Sequence, residues 1–259
     1  MAGPQVLGMA TAAHNPQRSA VLFLPVLLCD AGLWRHQLAA LDGQADCVVA
    51  DLTRDDTLGA MAARAMEGLP ERFALVALSM GGYVAFELLR QAPGRVARLC
   101  LMDTSARPDT PEQARRRRGL MALVASNGRF RGVTPRLLPA LLHSERLLDA
   151  SLIREITAMA DRLGKAAYLR QQGAILDRPD SRPNLPGIRV PTLVLAGEAD
   201  AMTPPALSAE IAAGIPGALL RLVPGAGHLP PLEQPVAVTG LLLDWLCGAL
   251  WNPGQPAAS

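Results

Sequence analysis

Three residues whose side chains can act together in nucleophilic catalysis follow apolar segments of this sequence. Ser79 comes directly after Phe73–Leu78. Asp200 comes shortly after Pro191–Gly197, and His228 lies in a loop rich in glycine and proline. A histidine that accepts the proton of a serine hydroxyl makes that serine a nucleophile, and an aspartate can hold the imidazole in the required tautomer. These residue types predict serine-based covalent chemistry, provided that the fold brings them together.

The segment ALSMGG, residues 77–82, resembles the G-x-S-x-G pattern of nucleophilic serines, with Ala77 in place of the first glycine. In that pattern the serine lies on a sharp turn between a strand and a helix, so its crowded neighbours must be small. Ala77, Gly81 and Gly82 meet this demand, because alanine adds only one methyl group. The alternative is that Ser79 only caps the following helix, a position that serine favours.

The segment GAGHLPP, residues 225–231, surrounds His228 with residues that form tight loops. Such a loop can hold the imidazole in one direction, which a general base requires. The alternative is a histidine without a catalytic role, satisfied by its loop. His14, His36 and His143 lack a comparable setting: we expect them in a tail, on a helix surface and in an inserted segment.

Apolar segments alternate with amphipathic ones, which predicts a mostly parallel sheet covered by helices on both faces. The predicted strands are Ala20–Leu28, Asp46–Leu52, Phe73–Leu78, Val96–Asp103, Pro191–Gly197 and Ala218–Val223. The predicted helices between and after them are Trp34–Leu41, Thr57–Leu69, Met80–Gln91, Pro205–Ile215 and Val236–Leu250.

The alternation stops between residues 107 and 184, a segment that we call the insertion. It contains no strand-like run and has four predicted helices: Pro111–Ser126, Pro135–Leu142, Glu145–Leu163 and Ala166–Leu176. Segments of this length are too long for an ordinary loop, so we expect a helical lid. The predicted core is then residues 20–106 and 185–251, with flexible tails at 1–19 and 252–259.

Polar residues follow five of the predicted strands, and the ends of parallel strands meet at one edge of a sheet. These residues are Asp30, Ser79, Asp103, Glu198, Asp200 and His228. A hydroxyl, several carboxylates and an imidazole should therefore converge there. Their order along the chain is serine, acid, histidine, which is the order found in α/β-hydrolases.

The chain resembles the α/β-hydrolase-fold serine hydrolases, and carboxylesterases in particular, from Ala20 to Leu250. The segments that carry the resemblance are LSMGG around Ser79, VPTLVLAGEAD ending at Asp200 and GAGHLPPLEQP around His228. The resemblance implies an α/β fold with the insertion as a lid after the strand that follows the nucleophile helix. It also implies catalysis without a cofactor.

The family position of the catalytic acid matches Asp200. Asp103 is the alternative, because some hydrolases of this fold carry the acid after the preceding strand. Glu198 and Asp30 are weaker candidates.

The resemblance also implies an oxyanion hole made by the backbone N–H groups of Leu27 and Met80. The family usually has His-Gly before the first of these donors, where this chain has Pro25 and Val26. Proline in place of histidine is acceptable because that side chain takes no part in the chemistry. Valine in place of glycine puts the geometry of the loop in question, because β-branched residues resist unusual backbone angles.

A substrate pocket is expected between this edge and the insertion. Its candidate residues, each of which also suits the core, are Trp34, Tyr83, Leu138, Leu142 and Tyr168. Arg154, Arg162 and Arg170 recur along the predicted insertion helices. They suit a solvated face, or alternatively recognition of a substrate carboxylate or phosphate.

The composition of the 259-residue chain excludes several function classes. A net charge of +2 argues against a nucleic-acid footprint. The one basic cluster, Arg115–Arg118, suits a solvated helix capped by Thr110 and Gln113, or alternatively a docking patch for an acidic partner. The four cysteines have no C-x-x-C spacing and the four histidines form no metal motif, so we expect reduced thiols and no metal.

No apolar segment reaches the roughly 18 residues of a membrane span, and the N-terminus lacks the basic region of a secretory signal. We therefore expect a cytoplasmic protein that binds neither nucleic acid nor membrane. The favoured function is cleavage of a small ester or thioester through an acyl-enzyme. The alternatives are another reaction of the same triad (C–C bond hydrolysis, lactone hydrolysis or perhydrolysis) and a ligand-binding protein without turnover.

Overall fold

The computed structural model of the protein describes residues 18–126 and 130–250. Its single sheet has six parallel strands in the order β2-β1-β3-β4-β5-β6. The strands are β1 (Ser19–Leu24), β2 (Ala45–Val49), β3 (Phe73–Leu78), β4 (Val96–Met102), β5 (Thr192–Gly197) and β6 (Leu219–Val223). All six predicted strands are confirmed.

The helices of the described residues lie between these strands and after them. They are α1 (Arg35–Leu41), α2 (Leu58–Ala65), α3 (Met80–Gln91), α4 (Pro111–Ser126), α5 (Leu138–Leu141), α6 (Ala150–Leu176), α7 (Pro205–Gly214), α8 (Pro230–Glu233) and α9 (Pro235–Cys247). Helices α2, α3 and α7 pack on one face of the sheet, and α1 and α9 pack on the other. The central strands β3 and β5 are buried along their whole length, which explains their uninterrupted apolar sequences.

The first predicted strand, Ala20–Leu28, was too long. β1 ends at Leu24, and Pro25 then interrupts it because proline has no N–H for the strand ladder. Residues 26–29 form a turn closed by a 3.0 Å hydrogen bond from the N–H of Cys29 to the carbonyl of Val26. The predicted oxyanion donor Leu27 therefore lies in a turn at the end of the strand.

The insertion contains α4, α5 and α6 and no strand in its described residues. Thr110 and Gln113 exchange hydrogen bonds of 2.8 and 3.2 Å at the start of α4, which confirms the predicted cap. Helix α6 begins at Ala150, later than the predicted Glu145, because the carboxylate of Asp149 caps it.

The two helices predicted on either side of residues 164 and 165 are joined in the single element α6. Gly164 interrupts its backbone with φ 75° and ψ −175°. The predicted tails, 1–19 and 252–259, lie outside the described residues, apart from residues 18 and 19, and β1 already begins at Ser19. The division into a core and an inserted lid domain stays a proposal.

Candidate active site

Ser79 occupies the sharp turn between β3 and α3, with the left-handed backbone angles φ 53° and ψ −112°. Such angles are unfavourable for a residue with a Cβ atom, so the surroundings must hold them in place. The Ser79 N–H donates to the carbonyl of Met102 at 3.0 Å, and the hydroxyl of Thr104 donates to the Ser79 carbonyl at 2.8 Å. Both peptide groups of this strained residue are therefore fixed by the end of β4.

The glycines after Ser79 are required by close contacts with the ends of neighbouring strands, to the backbone at Gly81 and to a side chain at Gly82. A Cβ atom on Gly81 would lie 2.2 Å from the carbonyl oxygen of Leu24. A Cβ atom on Gly82 would lie 2.3 Å from the hydroxyl oxygen of Thr104. Ala77 is fully buried within β3, where the fold accommodates its methyl group.

The structure brings Ser79, His228 and Asp200 into one hydrogen-bonded line. Nε2 of His228 lies 2.9 Å from Oγ of Ser79, and Nδ1 of His228 lies 2.9 Å from Oδ2 of Asp200. The Ser79 side chain forms no helix-capping hydrogen bond. Its hydroxyl is half-buried, whereas His228 and Asp200 are buried, so a ligand can reach only the serine end of the line.

The carboxylate of Asp200 is held in its charged form. Burial opposes ionisation, but hydrogen bonds from His228 and Thr203 outweigh it and lower the pKa of Asp200 below its ordinary value. The Thr203 hydroxyl donates to Oδ2 at 2.6 Å, and the N–H groups of Met202 and Thr203 donate to Oδ1 at 2.8 and 3.1 Å. A charged acid beside the imidazole is what a proton-accepting histidine needs.

Asp103, the alternative acid, lies in the same cluster with different bonds. One of its oxygens accepts the N–H of Gly197 at 2.7 Å, and no donor among the described residues reaches the other. Burial, followed by repulsion from Asp200, raises the pKa of Asp103 well above its ordinary value. The geometry therefore pairs His228 with Asp200, whereas Asp103 bonds to the N–H of Gly197 and has a raised pKa.

Asp103, Asp200 and His228 are the group of possible metal ligands that the structure brings together within residues 18–126 and 130–250. Ligand atoms of Asp103, Asp200 and His228 all lie within 4.8 Å of one another. Nδ1 of His228 is already hydrogen-bonded to Asp200, and Nε2 to Ser79. The chemistry of this donor set therefore fits an acid–base relay better than a metal site.

Residues 21–240 match the family described as the alpha/beta hydrolase family. The chain belongs to this family. It is an α/β-hydrolase enzyme with esterase-like relatives.

Three comparisons show how near these relatives are. A thermophilic esterase from Thermogutta terrifontis, solved with malate bound, has 32% identity and a TM-score of 0.81 over 88% of this chain and 89% of its own. The enol-lactonase from Burkholderia xenovorans LB400 has 25% identity and a TM-score of 0.75, over 89% and 92%. The pimeloyl-[acyl-carrier protein] methyl ester esterase of Neisseria meningitidis serogroup A is 30% identical over 68% of this chain, and the match spans 57% of that esterase's length.

The α/β-hydrolase also carries a buried acid that sequence reasoning missed. Oε1 of Glu233 accepts the N–H groups of Gly227 and Leu229 at 2.9 and 3.1 Å, on either side of His228. Oε2 accepts the N–H of His143 at 2.7 Å. Burial raises the pKa of Glu233 above its ordinary value. The sequence shows Glu233 between prolines in the segment GHLPPLEQP. No local pattern indicates that its side chain folds back on the loop that carries His228.

The two proposed oxyanion donors follow two paired strands, Leu27 after β1 and Met80 after β3 and Ser79. Neither the N–H of Leu27 nor that of Met80 donates a hydrogen bond to another described residue. Met80 is the first residue of α3, where N–H groups have no carbonyl within the helix. Val26 does not have a positive φ; the left-handed residue of the turn is Leu28, with φ 59°.

The five predicted pocket residues separate into two groups. Trp34 is fully buried in the core, with its ring centroid 5.1 Å from that of Phe23. Tyr83 packs under the guanidinium of Arg178, 4.5 Å from the ring centroid. These two side chains are occupied by contacts within the protein.

Leu138, Leu142 and Tyr168 belong to the insertion and pack with other parts of the chain. Leu142 is buried beside Gly227, which precedes His228, and Leu138 packs in the same apolar cluster. Tyr168 packs against Leu28 of the turn after β1. The insertion thus places apolar side chains beside both the His228 loop and the turn after β1.

Two of the three insertion arginines bind their own chain. Arg162 forms an ion pair with Asp30 at 2.8 Å. Nε of Arg170 donates to the carbonyl of Thr53 at 2.6 Å. Arg154 is exposed. The arginines therefore dock α6 on the loops after β1 and β2, which favours the structural interpretation over anion recognition for Arg162 and Arg170.

Proposed function

We propose that this α/β-hydrolase is a serine hydrolase that cleaves a small carboxylic ester or thioester. The observation that carries the proposal is the continuous hydrogen-bonded line from Ser79 through His228 to Asp200. Its two links of 2.9 Å are within the distance at which a proton can be transferred between nucleophile and base.

The reaction follows from these positions. His228 accepts the proton of Ser79 while Oγ attacks the substrate carbonyl, and Asp200 stabilises the imidazolium. The N–H groups of Leu27 and Met80 bind the oxyanion that forms. His228 then returns its proton to the leaving alcohol or thiol, and a water molecule activated by the same imidazole releases the acid from the acyl-enzyme.

Apolar side chains of the insertion pack against the turn that carries the proposed donor Leu27. Leu28, Ala160 and Tyr168 form a buried cluster that the partly buried Leu27 and Phe130 extend. Leu138 and Leu142 add apolar surface near His228. We propose that these residues receive a short apolar acyl chain and that the insertion acts as the lid.

Hydrolysis of a lactone is the second candidate. It is favoured by the likeness to the enol-lactonase, which covers 89% of this chain. The steps are the same, except that the leaving alcohol stays attached to the acyl group. We place the reaction in the cytoplasm, because all four cysteines are unpaired, as expected in a reducing compartment.

A fluorophosphonate probe with an attached fluorophore tests the nucleophile. We expect the wild type to be labelled and Ser79→Ala to be unlabelled, with hydrolysis of p-nitrophenyl butyrate reduced at least about 10³-fold. Ser126→Ala is the matched control, because Ser126 is an exposed serine on α4 whose hydroxyl only bonds to the carbonyl of Leu123. Labelling that persists in Ser79→Ala, or an unlabelled wild type, would show that the proposal is wrong.

The substrate class is tested on the same protein. We expect p-nitrophenyl acetate and butyrate to be cleaved faster than the octanoate, with a panel of γ- and δ-lactones measured in parallel. A kcat/KM for lactones above that for open-chain esters would favour the second candidate.

A further inference from the structure

A glutamine of the insertion reaches into the core and contacts the oxyanion turn. Gln171, on α6, is fully buried. Its Oε1 accepts the N–H of Leu28 at 3.0 Å, and its Nε2 donates to the carbonyl of Leu52 at 3.1 Å. Both ends of the amide are therefore used, and the second bond sets which end faces Leu28.

The residue that Gln171 binds is the strained one of the turn. Leu28 has φ 59°, a region in which a side chain is unfavourable and glycine is usual. The N–H of Cys29 closes the turn on Val26, so Leu27 and Leu28 are its two central residues. The peptide that carries the Leu28 N–H is joined at the Leu27 Cα to the peptide that carries the Leu27 N–H, so a restraint on the first limits the rotation of the second.

We propose that Gln171 is a positioning residue, which holds the oxyanion turn so that the Leu27 N–H points at the developing oxyanion. This inference rests on the proposed function. The Arg162–Asp30 ion pair joins α6 to the same loop at its other end.

The simplest competing explanation is that Gln171 only satisfies two buried backbone groups and so stabilises the fold. The two explanations differ in what a substitution changes. Loss of a structural contact lowers the free energy of unfolding and leaves the chemical step intact. Loss of positioning lowers kcat and the affinity for a mimic of the oxyanion.

The test uses Gln171→Met, which keeps the length of the side chain and removes both hydrogen bonds. We expect kcat for p-nitrophenyl butyrate to fall about 10- to 100-fold, less than the 10²- to 10³-fold that follows removal of an oxyanion donor, because the N–H remains but is misdirected. KM should change less than about threefold. The inhibition constant of an alkyl trifluoromethyl ketone, whose adduct with Ser79 carries an oxyanion, should rise in parallel with the loss of kcat.

Two further variants separate positioning from stability. Gln172→Met removes the neighbouring buried glutamine of α6, whose Oε1 bonds to Arg117 and not to the turn, and it should keep kcat within about threefold. Gln171→Glu should retain activity while its buried carboxyl is protonated, because a carboxylic acid can still accept from Leu28 and donate to Leu52. Its activity relative to wild type should then fall as the pH rises and the carboxyl ionises.

Amide hydrogen exchange of the peptide covering residues 25–30 gives a measure that does not depend on activity. We expect faster exchange at Leu28 in Gln171→Met and not in Gln172→Met. Unchanged exchange, or equal losses of kcat in the Met variants at positions 171 and 172, would overturn the inference even if the wild type is an esterase. If exchange is faster in Gln171→Met but the wild type hydrolyses no ester, the proposed function is wrong and the oxyanion role fails with it. Gln171 would then restrain the turn without a role in catalysis.

Discussion

Two buried aspartates lie close together in the site, and their surroundings shift their pKa values in opposite directions. Asp200 accepts hydrogen bonds from His228 and Thr203, which keep its carboxylate ionised. Asp103 has one donor, the N–H of Gly197, and faces the Asp200 carboxylate without access to water. At the scale of single residues, the environment selects which acid can orient the imidazole.

We predict that Asp200→Asn lowers kcat for p-nitrophenyl butyrate by about 10³- to 10⁴-fold, because the amide no longer stabilises the imidazolium and can hold the wrong tautomer. Asp103→Asn should lower kcat less than about tenfold, because an amide reproduces the donor and acceptor of a neutral carboxyl. Steady-state kinetics of the two matched variants is the measurement. The reverse order of the two losses would identify Asp103 as the acid.

The raised pKa of Asp103 also predicts how stability depends on pH. Above the ordinary carboxyl range the unfolded chain releases this proton while the folded chain keeps it, so folding is penalised increasingly as the pH rises. Asp103→Asn removes that penalty. The free energy of unfolding of Asp103→Asn relative to wild type should therefore increase with pH, by up to about 1.4 kcal/mol per unit. Urea denaturation at several pH values between 4 and 8 measures it, and a constant difference would contradict the raised pKa.

At the scale of elements, the site is built where strands end in strained backbone. Within the described residues, the non-glycine residues with positive φ are Leu28, Ser79 and Asp103, which follow β1, β3 and β4. Each is held by hydrogen bonds from a neighbouring element: Gln171 binds Leu28, β4 binds Ser79 and β5 binds Asp103. The parallel sheet thus supplies the rigid frame that unfavourable angles require.

Helix α6 is the element that joins the insertion to this frame, and its shape depends on Gly164. The angles of Gly164 lie in a region that is essentially restricted to glycine. A Cβ atom at position 164 would have no neighbour within 4 Å. A side chain there would therefore change stability through the backbone angles, and not through contacts with neighbouring atoms.

We predict that Gly164→Ala destabilises the protein by about 1–3 kcal/mol, because alanine cannot adopt these angles without strain. Gly173→Ala is the control in the same helix: it has regular angles and open space at its Cβ, so alanine should stabilise by about 0.5–1 kcal/mol. Urea denaturation followed by circular dichroism gives both values. A stabilising Gly164→Ala would mean that the break in α6 is not required.

At the scale of the whole molecule, burial separates the four cysteines. Cys247 is exposed, Cys47 is half-buried, and Cys29 and Cys100 are buried. Burial raises the pKa of Cys29 to about 12 and that of Cys47 to about 11, which suppresses the reactive thiolate.

None of the helices in residues 18–126 and 130–250 has the length and hydropathy of a membrane span.

We predict that a chromogenic disulfide reagent modifies Cys247 rapidly in the native protein and Cys47 slowly. Cys29 and Cys100 should react only as the core opens, so their modification in urea should follow the loss of circular dichroism. Cys247→Ser should remove the rapid phase without changing esterase activity. Rapid native modification of Cys29, which lies in the oxyanion turn, would show that this turn opens far more readily than the rest of the core.

Much of the architecture followed from the sequence alone, because apolar periodicity depends on neighbours along the chain. The bounds of β3, α3 and α4 were predicted to the residue. The end of β1 was missed, since the apolar run continues to Leu28 although the strand stops before Pro25. Apolar side chains continue past the strand because the turn itself is buried. Hydropathy alone cannot distinguish a buried turn from a buried strand.

The sequence by itself determined which side chains were available for chemistry and in what order, since residue types and local patterns encode strands, turns and small neighbours. Only the tertiary structure decided that His228 meets Asp200 and not Asp103, that the strain of the turn after β1 lies at Leu28, and that Gln171 binds this residue. These contacts join distant positions, such as the 143 residues between Leu28 and Gln171. They depend on how the sheet and the insertion pack, which no local pattern specifies.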